Sequence, residues 1–264
     1  MSAPDTAVNG SLRVQDETEL LRRARAVITA EAEAVARLEA RIDQTFLRAI
    51  HVIGDATGRV IVSGVGKSGI IGRKIAATLT STGTPAMFLH PVEGMHGDLG
   101  IVSRDDVAIL ISKSGESDEL AGLVEFLSRS GVSMIAMTGR MESMLARAAA
   151  VVLDCSVVEE ACPMDLAPTT STTVTLAMGD ALAVALLLRK GFSREDFARL
   201  HPGGALGRKL TLRVRDVMVG EEALIPTIGR EETMRRCVVL LAERRGTVAV
   251  VDADGRLTGA GRGR

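Results

Sequence analysis

From Val60 onward the chain repeats one pattern: a short aliphatic run without polar alternation, a glycine-bearing turn, then a helical stretch. Val60–Ser63, Ala86–His90, Val107–Ile111, Met134–Thr138 and Val151–Leu153 read as strands, with helices near 69–81, 117–130 and 141–147 between them. A strand that is apolar throughout has no face to offer water, so both faces must be covered. A helix inserted between two strands returns the chain to the same end of the sheet. The pattern therefore predicts the α/β class, with a parallel sheet covered by helices on both faces.

Upstream, Val35, Leu38, Ile42, Phe46, Ile50 and Ile53 recur at intervals of three and four, which predicts one long helix ending at Gly54–Gly58. Downstream, Ser171–Arg189 carries Val174, Met178, Leu182, Ala185 and Leu186 at helical spacing, with a Ser/Thr run at its start and Gly191 after its end. A short helix over Arg194–Leu200 is broken by His201-Pro-Gly-Gly204. Beyond Leu212 come a strand-like Ala223–Pro226, a helix near 231–244, a strand over Thr247–Asp252 and a turn at Asp254-Gly255. The expected organisation is a disordered lead-in over 1–14, a main domain over 15–210 and a partial module over 211–264.

Composition removes several functions. With 32 Lys plus Arg against 33 Asp plus Glu, the net charge is -1, so no basic footprint points to nucleic acid or an anionic membrane. No Trp or Tyr and only five Phe leave no aromatic platform for unpaired bases. The longest apolar runs, Val107–Ser112 and Leu182–Leu188, are far short of the roughly 20 residues that span a bilayer. The N-terminus has no apolar signal core, and Cys155, Cys162 and Cys237 cannot make a paired disulfide framework. A cytoplasmic, reduced protein is expected, with Cys155 and Cys162 filling core space.

Three loops carry the chemistry. Gly64-Val-Gly66-Lys-Ser-Gly69 matches the glycine spacing of a dinucleotide fingerprint, but the next strand ends at His90 where an acidic residue should bind ribose. Gly66-Lys67-Ser68 resembles the end of a P-loop, yet Ile61 stands where its first glycine belongs. What remains is a strand-to-helix turn with free backbone N–H groups and a lysine, suited to an anion. Ser112-Lys-Ser114-Gly115-Glu-Ser117 is a second such turn, with three hydroxyls where one suffices for a cap. Thr169-Thr-Ser171-Thr-Thr173 opens the following long helix in the same way, with at least one member expected to be an ordinary cap.

These loops resemble the sugar isomerase (SIS) domain family, in which a Ser-x-Ser-Gly-x-Ser/Thr turn holds a sugar phosphate. The nearest likeness is to its arabinose 5-phosphate isomerases. It rests on Gly64-Val-Gly-Lys-Ser-Gly69, Ser81-Thr-Gly-Thr-Pro85, His96-Gly-Asp-Leu-Gly100, Glu160-Ala-Cys-Pro163, Leu166-Ala-Pro-Thr169 and His201-Pro-Gly-Gly-Ala-Leu-Gly-Arg208, in order along the chain. The resemblance implies a five-stranded parallel sheet with helices on both faces. It implies interconversion of D-ribulose 5-phosphate and D-arabinose 5-phosphate through an enediol, feeding 3-deoxy-D-manno-octulosonate for lipopolysaccharide. It also implies that Lys67, Glu119, Glu160 and His201 are catalytic, with either glutamate as the enolisation base. Gly83, Thr84, His90, His96, Ser112, Ser114, Gly115, Ser117, Thr169 and Ser171 are implied as substrate contacts. No cofactor is implied; zinc is possible at His90, near His96 and Asp98, without being essential. A homotetramer with His201 reaching a neighbour's site is implied as well.

Two departures from the family stand out. Lys113 occupies a position where relatives more often carry asparagine. The segment from Val214-Arg-Asp-Val-Met218 resembles a CBS module that ends early. The competing readings are a non-catalytic phosphosugar-binding regulator, which usually adds a DNA-binding module, and an SIS isomerase acting on a hexulose or heptulose phosphate.

Overall fold

The computed structural model of the protein describes residues 16–217, 226–243 and 246–262. The lead-in over 1–14 and residues 223–225 of the strand-like Ala223–Pro226 segment lie outside the described residues. The chain divides into two compact units, Met1–Gly207 and Arg208–Arg264.

The first unit opens with α1 (Glu17–Leu38), a 3-10 turn (Glu39–Arg41) and α2 (Gln44–Asp55). It continues through β1 (Val60–Gly64), α3 (Gly66–Ser81), β2 (Ala86–Phe88), α4 (Pro91–Met95) and a second 3-10 turn (Asp98–Ile101). Then follow β3 (Val107–Ser112), α5 (Asp118–Arg129), β4 (Ser133–Thr138), α6 (Met144–Ala148), β5 (Val151–Asp154), α7 (Thr170–Arg189) and α8 (Arg194–Leu200). The five strands form one sheet in the order β2-β1-β3-β4-β5, parallel at every pairing.

The period of two along a strand divides the core into two layers. On β3, Val107, Ile109 and Ile111 join Phe46 of α2, Ile75 of α3 and Met178 of α7 on one face. Ala108 and Leu110 turn to the other face, where Leu120, Leu123 and Leu127 of α5 cover them. All six β3 residues are buried, as a strand without polar alternation requires. Helix α7 is long and apolar enough to pass for a membrane span, but Val174, Met178, Leu182, Ala183 and Leu186 are buried in the core.

The long N-terminal helix expected from the 35–53 stripe is in fact two helices. Asp43 stops it: its carboxylate accepts from the backbone N–H groups of Thr45 (2.8 Å) and Phe46 (3.3 Å), capping α2. Leu38, Phe46, Ile50 and Ile53 keep their places in the core, whereas Ile42, at the break, is 43% exposed. The side chain of Arg41 uses the break to reach across to β5, donating to the carbonyls of Asp154 (3.2 Å) and Ser156 (2.8 Å). Two further boundaries shift: α3 begins at Gly66, so Lys67 lies in its first turn, and α6 is confined to Met144–Ala148.

The second unit holds α10 (Val214–Val217), preceded in the chain by α9 (Ala205–Thr211), then β6 (Thr227–Gly229), α11 (Met234–Glu243), β7 (Thr247–Val251) and β8 (Leu257–Arg262). Its strands form a sheet in the order β6-β7-β8, with β6 and β7 parallel and β7 and β8 antiparallel. The β7–β8 hairpin turns at Gly255, whose φ of 75° suits glycine, while Asp252 accepts from the N–H groups of Asp254 and Arg256. Ile228, Cys237 and Val248 form a small core of its own.

Ile109 is fully buried at the centre of the sheet. Ile109→Ala is expected to cost about 2–5 kcal/mol, read as a lower urea midpoint with an unchanged slope.

Candidate functional site

In a sheet of order 2-1-3-4-5 the chain leaves β1 and β3 in opposite directions, and the crevice at their carboxyl ends is where such folds bind ligands. The turns after these two strands are the first two loops singled out above. Helix α3 starts at the first, with Val65 as its N-cap residue and no side chain capping it. Gly66 turns there with φ 57°, and a Cβ at that position meets only open space. Helix α5 starts at the second. Its N-cap residue, Ser117, makes no capping bond; the Ser117 hydroxyl lies 3.2 Å from that of Ser112. Both helices thus present first-turn N–H groups with no side-chain acceptor, the condition for holding an anion.

The Ser112–Ser117 turn is rigid. The hydroxyl of Ser112 accepts from the N–H of Gly115 at 3.0 Å, and that of Ser114 accepts from Glu116 N–H at 3.2 Å. Gly115 has φ 67° and is packed so closely that a Cβ there collides with the side chain of Ser143.

A cavity of about 160 Å³ opens beside these turns, lined by Lys67, Ser68, Lys113, Ser171, Thr172 and Thr175 among others. Behind its wall lies Glu160, whose side chain is fully buried. Oε1 accepts from Lys113 Nζ at 2.6 Å and Ser171 Oγ at 2.5 Å. Oε2 accepts from the N–H groups of Thr169 (2.9 Å) and Ser171 (3.1 Å) and from Thr169 Oγ1 (3.3 Å). The expectation that a hydroxyl of the Thr169–Thr173 cluster caps α7 is corrected here: Thr169 makes no capping bond, and the carboxylate of Glu160 satisfies the helix N-terminus instead. Burial alone raises the Glu160 pKa, but the ammonium of Lys113, the Ser171 hydroxyl and the two backbone N–H groups outweigh it and hold the value at about 2.

The other sequence-predicted residues are more scattered. Glu119 is exposed in the first turn of α5, two residues beyond Ser117, and its carboxylate meets no hydrogen-bond donor among the described residues. His90 is the N-cap residue of α4, edge-on to Phe88, with a buried Nδ1 that lacks a partner. His96 is exposed at the other end of α4. Gly83 and Thr84 precede β2, at the amino end of the parallel strands whereas the cavity lies at their carboxyl end, and Lys190 Nζ donates to the Gly83 carbonyl (3.2 Å) and the Thr84 hydroxyl (3.0 Å).

His201 ends α8 and lines a separate groove with Arg73 and Phe88. Its ring stacks on Phe197 with centroids 3.9 Å apart, and Nδ1 lies 2.8 Å from the Phe197 carbonyl. Only an N–H can bond a carbonyl oxygen, so in the neutral ring the lone pair is on Nε2. Within one chain, then, Lys67, Glu160 and Ser171 come together, while His201, Gly83 and Thr84 stay apart from them.

Among the described residues no three His, Cys, Asp or Glu side chains converge to hold a metal ion. His90, His96 and Asp98 form no such group, and one imidazole falls short of the three or four donors zinc requires. Cys155 is buried as expected, with its thiol pushed up to about 12 by burial. Cys162 is not in the core: it is half-buried in the loop after β5, where the N–H groups of Ala167, Met164 and Leu166 lower its pKa. Sequence reasoning also missed Phe197 as the group that orients His201; a helix C-terminus before His-Pro hinted at a turn but not at ring stacking.

Comparison with known proteins places this geometry. The SIS domain family matches residues 54–185. The chain is 46% identical over 248 residues to the arabinose 5-phosphate isomerase KdsD of Pseudomonas aeruginosa, covering 94% of this chain and 76% of that protein. It is 51% identical over 229 residues to the KdsD of Escherichia coli K12, covering 86% and 69%. A solved E. coli CFT073 protein in complex with arabinose 5-phosphate superposes with a TM-score of 0.69 at 41% identity, covering 71% of this chain and 100% of that one.

The buried carboxylate makes a pH signature. Glu160 has its ordinary pKa of 4.5 in the unfolded chain and about 2 when folded. Its contribution is therefore complete above about 5 and fades as pH falls toward 2. Glu160→Gln puts an amide among five donors and is expected to lose about 2 kcal/mol near neutrality. Urea unfolding should show that gap closing between ~pH 5 and ~pH 2; a gap of constant size would refute the assignment.

Proposed function

The chain belongs to the SIS-domain family, among its arabinose 5-phosphate isomerases, and on that premise we propose that it interconverts D-ribulose 5-phosphate and D-arabinose 5-phosphate. The observation that carries this reading is the lysine-lined cavity beside two uncapped helix N-termini at the carboxyl ends of β1 and β3. Such a crevice suits a phosphate monoester with a short polar tail.

The reaction conserves every atom and needs no redox partner. A base removes one proton from C1 of the ketose, the electron pair forms the C1–C2 double bond, and the carbonyl electrons go to O2, which takes a proton. The same base then returns a proton to C2 while O1 loses its proton and becomes the aldehyde oxygen. Fixed cations and donors hold the phosphate and the developing oxyanion.

The residues divide among these tasks. Ser112, Ser114, Gly115 and Ser117, with the α5 N-terminus, hold the phosphate, and Thr169 and Ser171 border the sugar. Lys67, which has no ion-pair partner among the described residues, steadies the enediolate. Between the two candidate bases the hydrogen bonds favour Glu119. A carboxylate offers about four lone-pair sites, and Glu160 already accepts from five donors, so it has none left for a proton from carbon. Glu119 is unencumbered. His201 opens the sugar ring through Nε2, and because it lines a different groove in its own chain it serves the site of a second copy, as do Gly83 and Thr84. His90 and His96 contact the substrate.

That sharing of residues goes with a homotetramer, a reading supported by Leu20, Leu21 and Ile28, which are 50%, 59% and 68% exposed on α1. The isomerase is cytoplasmic, its main domain spans 15–210 and its 211–264 segment is CBS-like. Its product feeds 3-deoxy-D-manno-octulosonate formation. No cofactor is required, and any zinc held through His90 is dispensable.

Incubation with D-ribulose 5-phosphate in deuterated buffer containing chelator is expected to give arabinose 5-phosphate deuterated at C2, as read by proton NMR. Saturable binding without turnover or exchange at C1 would instead favour the phosphosugar-binding regulator. Glu119→Gln should lower kcat by about 10²-fold or more with little change in KM; full turnover in that variant removes Glu119 from the base role. A monomeric mass by light scattering would overturn the shared site.

A further inference from the structure

The charged side chain in the cavity wall that no task above uses is Lys113. It sits in the middle of the phosphate turn, 52% exposed, with its ammonium 2.6 Å from a carboxylate that is wholly buried. That carboxylate is an awkward neighbour for an anion site. Near neutrality Glu160 is ionised, held so by its five donors, and it lies just behind Ser171, itself part of the cavity wall. In a poorly solvated wall its field reaches the cavity with little screening, so alone it repels a phosphate dianion.

Among the described residues the charged side chains that line the cavity are Lys67 and Lys113, and the Glu160 carboxylate, bonded to Lys113 and Ser171, stands directly behind them. With Lys113 present, two positive charges face one negative and the cavity is cationic; without it the two remaining charges cancel.

We propose that Lys113 is a positioning residue whose ammonium cancels the charge of Glu160, so that the positive charge of Lys67, which steadies the enediolate, also draws the phosphate dianion toward the turn that holds it. The pair also ties the turn after β3 to the start of α7, which fixes the phosphate turn against the cavity wall. This role rests on the isomerase reading only for the identity of the ligand; the electrostatics apply to any phosphate monoester.

The decisive experiment is a double-variant cycle on the full chain, with inorganic phosphate as the calorimetric probe at one pH near neutrality. Lys113→Met should weaken phosphate binding by about threefold to tenfold, the size expected for one unit charge at a partly solvated site. Lys113→Arg should keep wild-type binding. The double variant Lys113→Met with Glu160→Gln should recover most of the loss, because the negative charge has gone too. If Lys113 contacts the phosphate directly, or acts only as a structural tie, the double variant stays at least as weak as Lys113→Met, and the proposal fails.

In steady-state assays Lys113→Met should raise KM more than it lowers kcat; the reverse split counts against charge cancellation. Should Lys113→Met fail to fold, Lys113→Gln, which keeps a donor to Glu160 without the charge, gives the same reading. Because the probe is inorganic phosphate, a chain that follows the cycle but does not turn over D-ribulose 5-phosphate overturns the isomerase reading and leaves this one standing. A chain that turns the substrate over but shows no recovery does the opposite.

Discussion

Burial of the central strands on both faces decides where everything else must go. Once β1 and β3 lie side by side and parallel, their following helices cannot share a face. Ile75 and Leu79 of α3 pack with Val62 and Ile109 on one side, and Leu120 and Leu123 of α5 pack with Ile61 and Leu110 on the other. The chain therefore parts between the two strand ends, and the gap that opens is floored by the sheet and flanked by two helix N-termini. A site for an anion at that place is a consequence of topology before any side chain is chosen. The residues of the two turns then tune it: glycine at 66 and 115 for the positive φ values, lysine and serine for the donors.

Elements whose cause is local were legible in the sequence. The five aliphatic runs, the α7 stripe and the stop at His201-Pro-Gly-Gly204 depend on periodicity and on the chain's own stiffness. The break at Asp43 was not, because an apolar stripe at spacing three and four continues in register through it. Only the competition between a side-chain cap and the helical N–H ladder starts a new helix there, and Arg41 exploits the gap to hold the carbonyls of Asp154 and Ser156 at the end of β5. The reach of α3 back to Gly66 was missed for a related reason: glycine is a poor helix former, and only the turn geometry after β1 recruits it.

The site was legible residue by residue but not as an assembly. Lys67 and the Ser112–Ser117 turn follow from strand-end chemistry. The bond between Lys113 and Glu160 joins residues 47 apart in sequence, and no local pattern announces it. Nor did the Ser/Thr run at the start of α7 reveal that the hydroxyls of Thr169 and Ser171 serve a carboxylate rather than cap the helix. A cluster of hydroxyls reads as caps when the acidic group that claims them arrives from another loop.

Those hydrogen bonds also explain why the two candidate glutamates need not do one job. A carboxylate buried without partners protonates rather than remain charged. Glu160 avoids this through an ammonium, two hydroxyls and two helix N–H groups, and the same donors that keep it ionised occupy the lone pairs a base must offer. Stabilising the anion and using it as a base are thus opposed demands on one group. Glu119 faces neither: it is exposed at the α5 terminus and its carboxylate meets no donor among the described residues, so its lone pairs stay open. Burial has sorted the pair: one carboxylate is committed to the wall by its hydrogen bonds and the other keeps open lone pairs, the property a base needs.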